Sequence, residues 1–261
     1  MTDSELRLEL GRITRIVLNR PDKHNAMTVE MGRALADAVS AVNRHDEARV
    51  VLIEGEGRAF CAGGDFEVID ANARRTPEQN RTAMVEFYAS YLSVLRLRVP
   101  SIAVVHGAAV GAGLCLAMAC DLRLAAREAK LGANFVRVGL HPGMGCSVLM
   151  PRLIGMSKTS ELLLTGKLLD GGEAERIGLV NAAVPREELA KLVADTVEQI
   201  ASAAPIALAQ AKATMVAPLL RELDAALERE ACAQAIDFTT ADLREAVTAF
   251  RAGRPPQFGG S

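Results

Sequence analysis

An α/β fold of repeated strand–turn–helix units is predicted by three observations. Short apolar runs at 13–19, 50–54, 101–105 and 122–125 read as strands. Helical patterns alternate with them, which implies repeated β-α-β turns. From Glu187 onward only helical patterns remain.

Each element has a local reason. Ile13 to Asn19 is a strand ended by Asn-Arg-Pro. Thr28 is a fitting N-cap for a helix to about Arg44, with Met31, Leu35, Ala38 and Val42 on one face. Val50–Glu54 is the next strand. The polar stretch Asp70 to Arg81 reads as a mobile loop. Met84, Tyr88, Tyr91 and Leu95 recur at helical spacing. Ser101–Val105 and Leu122–Ala125 are further strands. Pro205, Pro218 and Thr240 mark three helix starts near the end. The chain divides into a core at 1–200 and a helical piece at 201–261.

Composition excludes several classes. Half the residues are apolar, enough for a sizeable core, and the net charge of −2 lacks the basic surface that nucleic acids require. Met1 to Leu10 holds no long apolar run, so no secretory signal is expected. No uninterrupted apolar stretch reaches the ~18 residues that suggest a membrane span. Cysteines at 61, 115, 120, 146 and 232 lack paired spacing, which fits free thiols in a reducing cytoplasm. The four histidines lie far apart, so no metal site is expected. No nucleophile-elbow, P-loop or dinucleotide fingerprint occurs.

Two small-residue turns stand out, each after a strand. One is Ala59-Phe60-Cys61-Ala62-Gly63-Gly64-Asp65; the other is His106-Gly107-Ala108-Ala109-Val110-Gly111-Ala112-Gly113. Such turns let a carbonyl approach the backbone closely. Each can aim one N–H at the same oxygen, which makes an oxyanion hole for a thioester or ester carbonyl. A position at a helix start, as expected for Ala112, adds unpaired N–H groups and the macrodipole.

With Asn19 to Met27, the stretch Leu164-Thr165-Gly166 through Gly178-Leu179-Val180, and the ending Ala249-Phe250 to Arg254-Pro255-Pro256, these turns resemble the enoyl-CoA hydratase/isomerase family, or crotonases. The resemblance covers nearly the whole chain. It implies a crotonase-like superhelix of ββα units, with the C-terminal helices building homotrimers that often pair into homohexamers. It assigns the oxyanion donors to the N–H groups of Gly64 and Ala112. It places coenzyme A, carried in as part of an acyl-CoA substrate with no separate cofactor, against Lys23, His24, Ala26, Ala62, Asp65, Phe66 and Gly111. Lys23 or Arg20 offers a cation for a phosphate. For Asp65 the residues favour an Asx-type role that orders its own turn.

The family pattern breaks where its hydratases carry two glutamates that hold water and move its protons. Three residues past Ala112 stands Cys115; four before Gly139 stands Phe135. Neighbouring positions carry no carboxylate either. This pattern argues against ordinary hydration. Cys115 in the first turn of a helix has its thiol pKa lowered by the helix dipole, or is a small core residue. His141 is a candidate general acid or base, or a packed histidine. His106 reads as structural; Glu67, Asp70 and Glu86 are the nearest remaining acids. Two functions follow: an acyl-CoA enzyme, of lyase or isomerase type, working through an enolate-type intermediate, or a non-catalytic acyl-CoA binder of the same fold. A protease of related fold lacks a suitable serine beside a histidine.

Overall fold

The computed structural model describes residues 4–261. A hairpin opens the chain: β1 (Leu6–Glu9) pairs antiparallel with β2 (Ile13–Leu18). A 3₁₀ turn at Pro21–Lys23 follows, then α1 (Val29–Asn43), capped by the Thr28 hydroxyl, which accepts from the Met31 N–H at 3.0 Å. The units continue with β3 (Val50–Gly55), α2 (Phe66–Asn72), α3 (Pro77–Tyr91) and β4 (Ser101–Val105). Next come β5 (Ala109–Val110), α4 (Ala112–Ala119), β6 (Leu122–Ala126) and β7 (Lys130–Gly132). They lead to α5 (Cys146–Thr165), kinked at Gly155, then β8 (Leu169–Asp170), α6 (Gly171–Arg176) and β9 (Ala182–Val184). Three helices finish the chain: α7 (Leu189–Ala201), α8 (Pro205–Asp237) and α9 (Ala241–Arg251).

The main sheet has the order β1-β2-β3-β4-β6-β9, parallel throughout except for β1. Its central strands are short and aliphatic, and β4 is buried along its whole length, as a parallel strand covered on both faces requires. A small second sheet, β5-β7-β8, lies beside the carboxyl ends of the main strands. One hydrophobic core joins Ile16, Leu18, Ile53 and Ile102 of the sheet to Leu35 of α1 and Leu223 and Leu227 of α8. Among the described residues no single helix is long and apolar enough to cross a membrane.

Two local expectations are corrected. The stretch Asp70 to Arg81 is helical at both ends rather than a loop. Thr76 accepts from the Gln79 N–H, and the Gln79 side chain accepts from the Thr76 N–H, a reciprocal capping box that starts α3 at Pro77. Pro218 starts no helix but lies inside the continuous α8. The packing of Leu219, Leu220, Leu223 and Leu227 against the core offsets the backbone bond that proline cannot make. Pro205 and Thr240 do begin helices.

Candidate active site

The site forms where β3 and β4 end, at their carboxyl edge, because the two turns leaving them pack backbone on backbone. Cys61 donates to Ala108 O at 2.9 Å, and Val110 donates to Cys61 O at 3.0 Å. On its other side the first turn pairs with Met27: Met27 N–H reaches Gly63 O at 2.8 Å, and Asp65 N–H reaches Met27 O at 3.0 Å. Glycine permits this approach. Gly63 sits at φ +95°, and a Cβ there would meet Val110 O at 2.8 Å and lie 3.6 Å from Ala112 N. A Cβ on Gly113 would lie 2.2 Å from Cys61 O.

The neighbouring N–H groups of Cys61, Ala62, Asp65, Val110 and Gly111 all have acceptors, whereas those of Gly64 and Ala112 find none in the protein among the described residues. Ala112 is the first residue of α4, and its N-cap Gly111 (φ +56°) brings no side chain to cap that end. All eight residues of α4 are buried, and none is charged. The partial positive charge at its N-terminus is therefore poorly screened by water.

Gly64 and Ala112 line one cavity of about 350 Å³, with Ala62 and Gly111 beside them. The rest of its wall is apolar apart from Asn72, Tyr88, Asn134 and Gln234. Among the described residues no carboxylate, histidine, lysine, arginine or cysteine lines it, so Tyr88 is the one titratable group among those that do. Burial pushes the Tyr88 hydroxyl well above its ordinary value, with Glu230 and Cys115 adding to the effect. Tyr88 therefore stays protonated; its Oη donates to Gln234 Oε1 at 2.7 Å, and Gln234 Nε2 donates to His141 O at 2.6 Å. Two unpartnered N–H groups lining one largely apolar cavity can hold one anionic oxygen. The side chains around that space offer no proton acceptor of the carboxylate or imidazole kind.

The remaining expected residues fall in several places. Phe135 is buried and lines the cavity. Cys115 is fully buried, lies outside the cavity lining, and points its Sγ at Gly143 O, 3.4 Å away. The expected lowering of its pKa is reversed: burial raises it, and the neighbouring Cys146 thiol raises it further. His141 faces a different cavity, with Ser147, Asp237 and Thr240, and its Nδ1 lies 2.6 Å from Pro142 O. His106 Nε2 lies 3.1 Å from Gly57 O.

Phe66 starts α2 and lines the cavity, whereas Lys23, His24 and Ala26 lie outside its lining, in the turn before Met27. His24 O accepts from the Ala62 N–H at 3.0 Å, so that turn is tied to the first small-residue turn. Lys23 is exposed, 3.6 Å from Glu67. Arg20 is held between Glu5 (3.1 Å) and Asp65 (2.8 Å) and donates to Ala26 O, so its guanidinium is already engaged with two carboxylates. Asp65 caps α2 by accepting from the Glu67 N–H at 2.9 Å. Burial alone would raise the Asp65 carboxyl, but that N–H and the Arg20 guanidinium outweigh it and hold it below its ordinary value.

Sequence reasoning missed part of the wall. Tyr88 was legible as one face of a helix, with no sign of what it faces. Gln234, Phe238 and Phe250 come from the C-terminal helices, more than a hundred residues from the turns. Phe250 stacks on Phe66 with ring centroids 4.0 Å apart, closing α9 against α2.

Comparison with known proteins agrees with this architecture. The family model described as enoyl-CoA hydratase/isomerase matches residues 10–261. A crotonyl-CoA hydratase of Syntrophomonas wolfei is 36% identical over 250 residues, covering 93% of each chain. A putative enoyl-CoA hydratase/isomerase of Bacillus subtilis is 33% identical over 248 residues, covering 95% of this chain and 96% of its own. The crystal structure of an enoyl-CoA hydratase from Mycobacterium avium subsp. paratuberculosis superposes with a TM-score of 0.87 at 31% identity over 98% of both chains. By its turns, its topology and these matches, the chain belongs to the enoyl-CoA hydratase/isomerase family.

Proposed function

We propose that this protein acts on an acyl-CoA thioester, with the N–H groups of Gly64 and Ala112 stabilising the oxygen of an enolate-type intermediate. The observation that carries this reading is the pair of unpartnered N–H groups lining one largely apolar cavity. Negative charge that develops on a thioester oxygen would meet two fixed donors and the N-terminal end of α4. Coenzyme A would lie along the turns that hold Lys23, His24, Ala26, Ala62, Asp65, Phe66 and Gly111.

Hydration is not the reaction this cavity favours. Adding water needs groups that take and return a proton, and positioned acid–base groups contribute typically 10²–10⁴-fold. Cys115 and Phe135 supply neither, and His141 faces elsewhere. Reactions suited to the site form the enolate without an enzyme carboxylate. Loss of a carboxyl group from the acyl chain is such a case: carbon dioxide leaves, and the electron pair of the broken carbon–carbon bond becomes the enolate.

The same absence favours a second reading, a non-catalytic acyl-CoA binder. The purified protein, incubated with a broad acyl-CoA panel and followed by mass spectrometry, separates the two. Enzyme-dependent product supports the first reading. Saturable binding without product from any member supports the second. Light scattering on the same sample tests the expected homotrimer or homohexamer.

A further inference from the structure

The geometry points to a substrate whose acyl group is a ring, aromatic or carbocyclic, rather than a straight chain; this rests on the acyl-CoA reading above. The chain is poor in aromatic residues: seven Phe, two Tyr and no Trp. Five of those Phe and one Tyr line the single cavity that holds the unpartnered N–H groups: Phe66, Phe87, Tyr88, Phe135, Phe238 and Phe250. They are brought there by α2, α3, the 3₁₀ turn at Phe135–Val138, the end of α8 and α9. The other three aromatic residues lie outside it. Such convergence is set by the fold, since composition alone spreads nine rings over 261 residues.

The physical consequences favour a cyclic guest. Aromatic walls are stiff and prefer offset-stacked or edge-to-face contact with another ring. Four of the six, Phe87, Tyr88, Phe135 and Phe238, are buried and held by packing, so the walls do not reshape around a flexible chain. The volume of about 350 Å³ is at the small end for ligand cavities. A long unbranched acyl chain gives up many rotamers when held against these walls, whereas a ring arrives preorganised. Tyr88 is satisfied by Gln234 and Gln234 by His141 O, so apart from Asn72 and Asn134 the wall side chains offer the guest an apolar surface.

Isothermal titration with 3-phenylpropanoyl-CoA and nonanoyl-CoA, which have equal acyl carbon number, tests this, with free coenzyme A as the baseline. The expected result is about tenfold tighter binding of the phenyl compound, the ratio that a few favourable ring–ring contacts supply. Phe87→Leu and Phe250→Leu should each reduce that ratio. Phe250 is 62% exposed, so its replacement leaves the core intact if the Phe87 variant fails to fold. Equal or tighter binding of nonanoyl-CoA overturns the ring inference and leaves the acyl-CoA reading standing. Binding of neither acyl compound above free coenzyme A overturns both.

Discussion

Ala112 and Gly64 owe their free N–H groups to their neighbours, not to their own side chains. Gly63 and Gly113 let the two turns close to within van der Waals contact, and Gly111 at φ +56° turns the chain into α4. Ala112 is the first helical position, where proline is tolerated, so Ala112→Pro removes the N–H and keeps the helix. Turnover on an accepted acyl-CoA should fall about 10²–10³-fold, as for loss of one oxyanion donor, with the circular dichroism spectrum unchanged. Asp65 gives a pH-dependent test. Its carboxyl is held below its ordinary value in the folded state, so its charge stabilises above the unfolded value of about 3.9. That contribution is lost as pH falls through the lower folded value. Asp65→Asn keeps a capping side chain and loses the charge on Arg20. It should cost about 1–3 kcal/mol at pH 7, and urea titrations should show the difference from wild type closing below pH 4. The turns and the missing glutamates were legible in the sequence because glycine spacing encodes backbone approach directly. The protonation state of Cys115 was not, because the helix dipole is local while the burial that overrides it is tertiary.

Among the elements, the strands were the easiest to read. Val50–Gly55 and Ser101–Val105 are aliphatic runs between polar turns, and periodicity alone marks them. The helices near the cavity were harder. Polar composition between Asp70 and Arg81 suggested a loop, yet Thr76-Pro77-Glu78-Gln79 carries the capping signature that makes α3 a helix. At Pro218 the local rule pointed to a helix start, and the leucines that follow it overrode that rule by burial. This override has a measurable cost. Pro218 is exposed, so Pro218→Ala removes no core contact and restores one helix bond. The variant should be more stable by about 1–3 kcal/mol, read as a higher urea midpoint at an unchanged slope. An unchanged or lower midpoint would mean that the α8 backbone depends on the proline for its path.

Taken as a whole, the molecule brings residues from both ends of the chain to one cavity. The turns come from the sheet, while Gln234, Phe238 and Phe250 come from the terminal helices. Sequence spacing located the first group, because its members are neighbours along strands. It could not locate the second, because nothing in a helical pattern says which part of a distant sheet its face will meet. The assembled cavity combines fixed donors for a developing oxyanion with an absence of carboxylate, imidazole or thiol groups to move a proton. On the proposed function, such a site would stabilise an enolate and would not deliver water. The measurement to make is the ultraviolet absorbance of the conjugated thioester while the purified protein acts on trans-2-enoyl-CoAs of several chain lengths and on a ring-bearing enoyl-CoA. No enzyme-dependent loss above the uncatalysed rate is expected with any of them. A fast, enzyme-dependent loss would contradict this reading and require a proton-transfer group outside the cavity lining.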